Sequence, residues 1–281
     1  MKQIYSIIYL LLVSAFAANA QQPLKVLSYN ILEGMKTDTT KGKQQFVQWV
    51  KDKNPDILAL QECNAFTQKT LEELAASYGH PYAVIVKENG YPTGLTSKYP
   101  IANIRKVNEN MTHGFITARI GEYNILVLHL NPHKYRKRRE EIALVLKTLQ
   151  LQEDKKNWII MGDFNSHSPL DKERMKNGRM IARQQELAKK NPRIENLVNN
   201  NEIDYTVQQS ILDAGLVDAA QRFDEKEKAR TGKGVIVSDS RIDFIYISKN
   251  LGKKLLHCAF IYDDFTKKFS DHRPVYLELK N

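Results

Sequence analysis

The run Asn157-Trp158-Ile159-Ile160-Met161-Gly162-Asp163-Phe164-Asn165 drives a fully apolar strand into a glycine turn that ends in a carboxylate and an amide. On an extended backbone Asp163 and Asn165 point the same way, while Phe164 points back into the core. Other strand-like runs stop at comparable polar residues. Asn30 follows Val26-Leu27-Ser28-Tyr29, Glu62 follows Ile57-Leu58-Ala59-Leu60-Gln61, and His129 follows Ile125-Leu126-Val127-Leu128. Asp243 lies inside Arg241-Ile242-Asp243-Phe244-Ile245, and Ser270-Asp271-His272 introduces a last run, Val275-Tyr276-Leu277-Glu278-Leu279.

Strand-like patterning covers residues 24–30, 57–61, 82–86, 101–107, 115–120, 123–130, 157–162, 242–248, 255–261 and 274–280. Helical periodicity covers 41–53, where Phe46, Val47 and Val50 share a face, and also 67–78 and 135–151. The pattern predicts an α/β (α+β) fold, a four-layered sandwich of two packed, largely antiparallel β-sheets flanked by helices. Asn30, Glu62, His129 and Asp163 end their strands, whereas Asp243 and the Asp271-His272 pair stand at or before the starts of theirs. Only oppositely directed neighbours bring one strand's end beside another's beginning. Residues 166–240 form a long, basic, partly helical insertion, with helices expected at 175–190, weakened by Gly178, and at 205–212, closed by Ala214-Gly215.

The first twenty residues read as an export signal: Lys2, an apolar core from Ile7 to Val13, and a small-x-small site at Ala18-Asn19-Ala20. The apolar stretch is shorter than the roughly 20 residues of a spanning helix. Cleavage near Ala20 predicts an exported protein, periplasmic or extracellular, whose residues 21–281 form one domain. Only Cys63 and Cys258 are present, so a disulfide framework is excluded, and two buried thiols are favoured over a bridge. The formal net charge of +10 favours anionic partners. Much of it lies in Lys134-Tyr135-Arg136-Lys137-Arg138-Arg139 and in residues 172–193, where Glu173 and Glu186 are the only acidic residues. A solvated helix face is the preferred account of the second stretch. The first follows the His129 strand directly, which makes Arg136 and Arg139 candidate substrate-binding residues.

In order, Ser-Tyr-Asn, Leu-Gln-Glu, Leu-His-Leu-Asn-Pro, Gly-Asp-Phe-Asn, Arg-Ile-Asp and Ser-Asp-His resemble the exonuclease/endonuclease/phosphatase superfamily. That group includes pancreatic deoxyribonuclease, apurinic endonucleases, neutral sphingomyelinases, deadenylases and inositol polyphosphate 5-phosphatases. The resemblance covers residues 24–281. Each triplet alone carries little, but six in the family's order, each beside a hydrophobic run, carry the assignment together. Glu62, Asp163, Asp243 and Asp271 brought together repel one another unless a cation neutralises them, and oxygen ligands favour Mg²⁺, Mn²⁺ or Ca²⁺ over zinc. The resemblance implies Glu62 as the first metal ligand, Asn30 assisting it or binding phosphate, and Asp271 completing this site or a second one, with one or two ions.

It further implies that Asp163 orients and deprotonates an attacking water while Asn165 donates to the developing phosphoryl oxygens. His272, held by Asp243, presents a charged ring, and His129 is a second donor to phosphate or leaving group. Apurinic endonucleases usually carry a tyrosine where this chain has His129, which counts against abasic-site repair. Nuclease-type members often keep a glutamate near Leu95 to orient the histidine; here stand Tyr91-Pro92-Thr93, with Glu88 the nearest carboxylate.

The leading expectation is therefore an exported, divalent-metal-dependent phosphodiesterase, first of all an endonuclease-type enzyme on nucleic acid. The enzymatic alternatives are a phospholipid head-group phosphodiesterase, with Phe260-Ile261-Tyr262, Phe265 and Phe269 as the apolar surface it would need, or a phosphomonoesterase. An inactive binding module of the same fold is the alternative of another class. It predicts the loss of a central residue, and Glu62, Asp163, Asn165, Asp243 and His272 are all present.

Overall fold

The computed structural model describes residues 22–281 apart from Val237 and Asp239; the expected export signal at 1–20 lies outside the described residues. One six-stranded sheet holds β1 (Leu24–Asn30), β2 (Ile57–Gln61), β3 (Tyr82–Ile85), β4 (Gly94–Ser97), β13 (Leu255–Phe260) and β14 (Val275–Leu279). Its order is β13-β14-β1-β2-β4-β3. The other holds β5 (Ile101–Val107), β6 (Phe115–Ile120), β7 (Tyr123–His129), β8 (Trp158–Asp163), β11 (Leu216–Asp218) and β12 (Asp243–Ser248), in the order β11-β12-β8-β7-β6-β5. A hairpin of β9 (Leu197–Val198) and β10 (Glu202–Ile203) stands apart.

Side-chain alternation explains the layering. Val26, Ile57, Ala59, Ile125, Val127, Ile159, Met161, Ile245 and Ile247 meet in one core between the sheets. Their neighbours in sequence turn outward. Leu27, Leu58 and Leu60 pack under helices Gln44–Lys53 and Gln68–Ser77 through Phe46, Trp49, Val50, Leu71 and Leu74. Leu126, Leu128, Ile160, Phe244 and Tyr246 pack under helices Tyr135–Gln150 and Thr206–Asp213 through Ile142, Val145, Val207 and Ile211. Strands buried on both faces have no polar side to display, which is why these runs are continuously apolar.

In each sheet four of the five neighbouring pairs are antiparallel, as expected, but the central pair is parallel: β1 with β2 and β7 with β8. A parallel pair needs a long crossover, and helices Gln44–Lys53 and Tyr135–Gln150 lie in these two connections. The sequence pattern misses β4 and the helix Ala219–Thr231. Four residues are too few to display a period, and that helix buries only Ala219, Ala220, Phe223 and Asp224. The helix expected at 175–190 is divided at Gly178, where a 3₁₀ segment Pro169–Met175 gives way to Arg179–Lys190.

Cys63 sits in an outer core layer and Cys258 in the inter-sheet core. Both are free, and burial pushes both thiols up. The insertion is tied to the scaffold by Arg241, whose Nη2 lies 2.8 Å from Asp171 Oδ2 and 2.9 Å from Asp218 Oδ2 with none of its side chain exposed. Removing this guanidinium strands two buried carboxylates. Arg241→Ala is expected to cost about 3–5 kcal/mol of stability, measured by urea unfolding; an unchanged midpoint would show that the insertion is held by other contacts.

Candidate active site

The alternation that builds the inter-sheet core also places the polar residues. Asn30 has the parity of Val26, His129 that of Val127, Asp163 that of Met161, and Asp243 that of Ile245. All four therefore extend the inner face to the rim where the sandwich opens. Register finishes the alignment, because Asp163 pairs with His129 across the parallel contact and with Asp243 across the antiparallel one. Gly162 permits the close approach: at φ +146° a Cβ there would stand 1.9 Å from the Leu128 carbonyl oxygen.

Asp163 is the hub, with 1 % of its surface exposed. Its Oδ1 accepts the Asn165 backbone N–H at 2.8 Å, a turn that puts Asn165 in the left-handed region at φ 49°. The extended geometry expected for Asp163 and Asn165 is thus replaced by a turn, although Phe164 does enter the core against Phe244 and Tyr246. Oδ2 faces Asn30 Nδ2 at 3.1 Å, His129 Nε2 at 3.5 Å and His272 Nε2 at 3.8 Å. Burial pushes the Asp163 carboxyl up to about 7, against the pull of the His272 imidazolium.

His272 Nδ1 lies 2.7 Å from Asp243 Oδ2. Burial works against a charged ring here, but Asp243 and Asp163 outweigh it and raise His272 to about 10. Arg241 is not the partner of Asp243, since its own partners are Asp171 and Asp218. His129 is the opposite case. Burial, with His113 and His272 nearby, holds it well below the usual histidine range, so it is neutral. Its ring stacks on His113 at 4.2 Å between centroids, and Tyr91 meets the far side of His113 edge-on at 5.6 Å. A stacked ring accepts no N–H from His129, so the stack does not replace the expected carboxylate, and Glu88 is bonded to the Gln68 backbone N–H at 2.8 Å.

Glu62 comes from the wrong strand parity and reaches the rim through a left-handed residue, φ 60°. Its Oε1 accepts Asn30 Nδ2 at 3.1 Å and its Oε2 accepts the Glu33 backbone N–H at 2.8 Å. Asn30 thereby spends both amide hydrogens, on Glu62 and Asp163, and its Oδ1 accepts the Leu32 N–H at 3.1 Å. An amide has two hydrogens to give, so Asn30 has none left for phosphate but keeps an oxygen lone pair. Asp271 stands exposed beside His272, with Oδ1 3.9 Å from Nε2.

Asp163, Asp243 and His272 offer atoms within 4.8 Å of one another. Distance alone would let that trio hold a metal, but a protonated ring already bound to Asp243 is no ligand. The residues that fit a hard cation are Glu62 and Asp271. Neither forms an ion pair with Lys or Arg within bonding distance among the described residues, and both act on the Lys36 ammonium, which rests on Glu33 at 2.9 Å. A side-chain cation thus already collects where these carboxylates face.

Of the two arginines proposed from sequence, Arg139 is held bidentate by Asp204, at 2.7 and 3.2 Å. Arg136 is exposed, over the Tyr135 ring and 3.9 Å from Glu195. The arginine turned inward is Arg138, because the helix buries Tyr135, Arg138, Glu141, Ile142 and Val145 on one face. Helical spacing from Ile142 back to Arg138 was the available signal. Glu141, also missed, accepts the Asn131 and Thr112 backbone N–H groups at 2.8 and 2.7 Å and fixes the loop after His129.

A two-sheet sandwich whose inner faces end in a buried carboxylate, an imidazolium–carboxylate pair and an open acidic edge defines a phosphoester hydrolase. The chain belongs to the Endonuclease/Exonuclease/phosphatase family, whose model matches residues 27–272. The fold is similar to an AP endonuclease from Archaeoglobus fulgidus, with TM-score 0.65 at 17 % identity, covering 92 % of this chain and 100 % of that one. It is also similar to the Neisseria 3′ phosphatase NExo bound to product DNA hairpin (TM-score 0.61, 17 % identity, 91 % and 99 % covered). A humanized D. rerio TDP2 gives TM-score 0.58 at 15 % identity, with 92 % and 99 % covered. No curated protein sequence matches significantly.

Because Asp243 sustains the His272 charge, the His272 ring is expected to stay protonated from pH 6 to 8 in chelator-treated protein and to lose its proton only toward about 10. Asp243→Asn should bring that titration down into the neutral range. Imidazole chemical shifts followed by NMR check this, and a wild-type ring titrating near pH 6.5 would contradict it.

Proposed function

We propose that this protein is an exported, divalent-cation-dependent phosphodiesterase that hydrolyses nucleic acid by in-line attack of water. The observation that carries the reading is the convergence on one rim of a buried Asp163 raised to about 7 and a His272 held cationic by Asp243. One group can take a proton near neutral pH while the other faces negative charge. The leader-like residues 1–20 support export, and no helix among the described residues is long and apolar enough to cross a membrane.

In this mechanism Asp163 Oδ2 accepts the proton of the attacking water. Asn165 Nδ2 spends one hydrogen on the Leu130 carbonyl at 3.2 Å and directs the other toward a phosphoryl oxygen. His272 Nε2–H neutralises charge at the phosphorus, and neutral His129 packs its Nε2 against Asp163 Oδ2 at 3.5 Å. Asn30 positions Glu62 and Asp163 relative to each other. Glu62 and Asp271 with Asn30 Oδ1 would hold a hard cation, Mg²⁺ in the first instance, which would supply Lewis-acid polarisation of the phosphoryl group.

A DNA- or RNA-sized substrate suits the basic insertion, whose exposed Arg183 lies across a cavity from Asn165. The phospholipid alternative loses its surface. Phe260, Ile261 and Phe265 pack against the core, Phe269 is buried, and exposed Tyr262 is covered by the Arg273 guanidinium at 4.5 Å.

Purified protein should cleave plasmid DNA, RNA or bis(p-nitrophenyl) phosphate with Mg²⁺ or Mn²⁺ and stop with EDTA. Asp163→Asn and His272→Ala should each lower kcat by roughly 10²–10⁴ with the fold retained by circular dichroism. Full turnover in either variant would end this mechanism.

A further inference from the structure

Beside Asn165 the insertion lines a partly open cavity of about 110 Å³, walled by Asn165, Arg138, Arg183, Gln184, Asn196 and Met180. Arg138 is 2 % exposed. Its Nη1 donates to the Asn131 carbonyl at 3.0 Å and to Asn196 Oδ1 at 2.7 Å, both neutral, while Nε is buried without a partner. No carboxylate lies within ion-pair distance of it among the described residues. Asp204, the acidic residue of the wall, is engaged by Arg139 and Thr206. On the other wall Arg183 is exposed and forms no ion pair among the described residues.

Asp204, Asp163 and Glu141 act on Arg138 only from beyond ion-pair distance, so its buried guanidinium has no directly paired carboxylate, and an adjoining anion would complete it. Burial brings Arg138 down to about 10, so it still carries its charge at neutral pH. A partly open cavity of this size has room for a phosphoryl group. Asn165 belongs to both the cavity wall and the rim, so an anion here sits next to the phosphorus being attacked.

We propose that this cavity is a subsite for a second phosphoryl group of the substrate, adjacent to the scissile one and held by Arg138 and Arg183. The inference rests on the phosphodiesterase reading and narrows it to substrates carrying neighbouring phosphates, from a nucleotide chain or from a small phosphorylated molecule.

The test compares thymidine 5′-(p-nitrophenyl phosphate) with and without a 3′-phosphate, alongside a p-nitrophenyl glycerol diester with and without a second phosphate. The wild type should favour the phosphorylated member through KM by roughly tenfold, the worth of one charge-assisted contact. Arg138→Gln and, on the exposed wall where folding is not at stake, Arg183→Gln should each bring that ratio toward one. Preference confined to the glycerol pair upholds the subsite and assigns its phosphate to a small molecule. Equal KM values within both pairs, or an unchanged ratio in Arg183→Gln, overturn it. If no ester is turned over, the phosphodiesterase reading fails on its own, and calorimetry with inorganic phosphate decides the subsite. Saturable binding that Arg183→Gln weakens upholds it; binding indifferent to that substitution, or none, overturns it.

Discussion

The structure depends on one buried carboxylate. Asp163 ends a strand that is apolar on both faces, at a depth where an unpartnered charge is not tolerated. Everything around it answers that constraint. Asn30 crosses from the other sheet to donate a hydrogen bond, the Asn165 backbone turns to donate another, and His272 brings a positive ring. Because those partners come from both sheets, the hub is also a tie between the two halves of the sandwich.

Charge at the rim divides into two parts. On the inner side Asp163 and Asp243 are balanced by His272, so the internal imidazolium replaces part of the neutralisation that the acidic cluster first suggested an ion must supply. On the outer side exposed Asp271 touches only the edge of the same ring, at 3.9 Å, and Glu62 forms no ion pair among the described residues, with Lys36 nearby. The proposed function builds on this separation, with proton transfer at the buried groups and cation binding at the open ones. The neutral His113–His129 stack sits at the edge of the first part, where burial keeps a second positive ring from forming beside His272.

Backbone strain marks where the scaffold was bent toward function. Glu62 and Asn165 both hold left-handed conformations that side chains rarely adopt. In the first the turn carries a carboxylate of outward parity to the rim. In the second it aims an amide past the strand end. The insertion contributes differently: pinned by Arg241 between Asp171 and Asp218, it folds a wall over the rim and encloses Arg138.

Local pattern determined the longer strands, though not short β4, β9, β10 and β11, and that polar residues close the strands, because side-chain alternation and apolar runs are properties of neighbours along the chain. The order of six motifs was enough to bring Glu62, Asp163, Asn165, Asp243 and His272 forward as one set. Tertiary structure alone decided the parallel central pairs, the stacking of His113 on His129, and the burial of Arg138 rather than Arg136 or Arg139. Charge state was decided there too. His129 and His272 are the same residue type, yet one is neutral and the other cationic, because desolvation and the distance to a carboxylate exist only once the chain has folded.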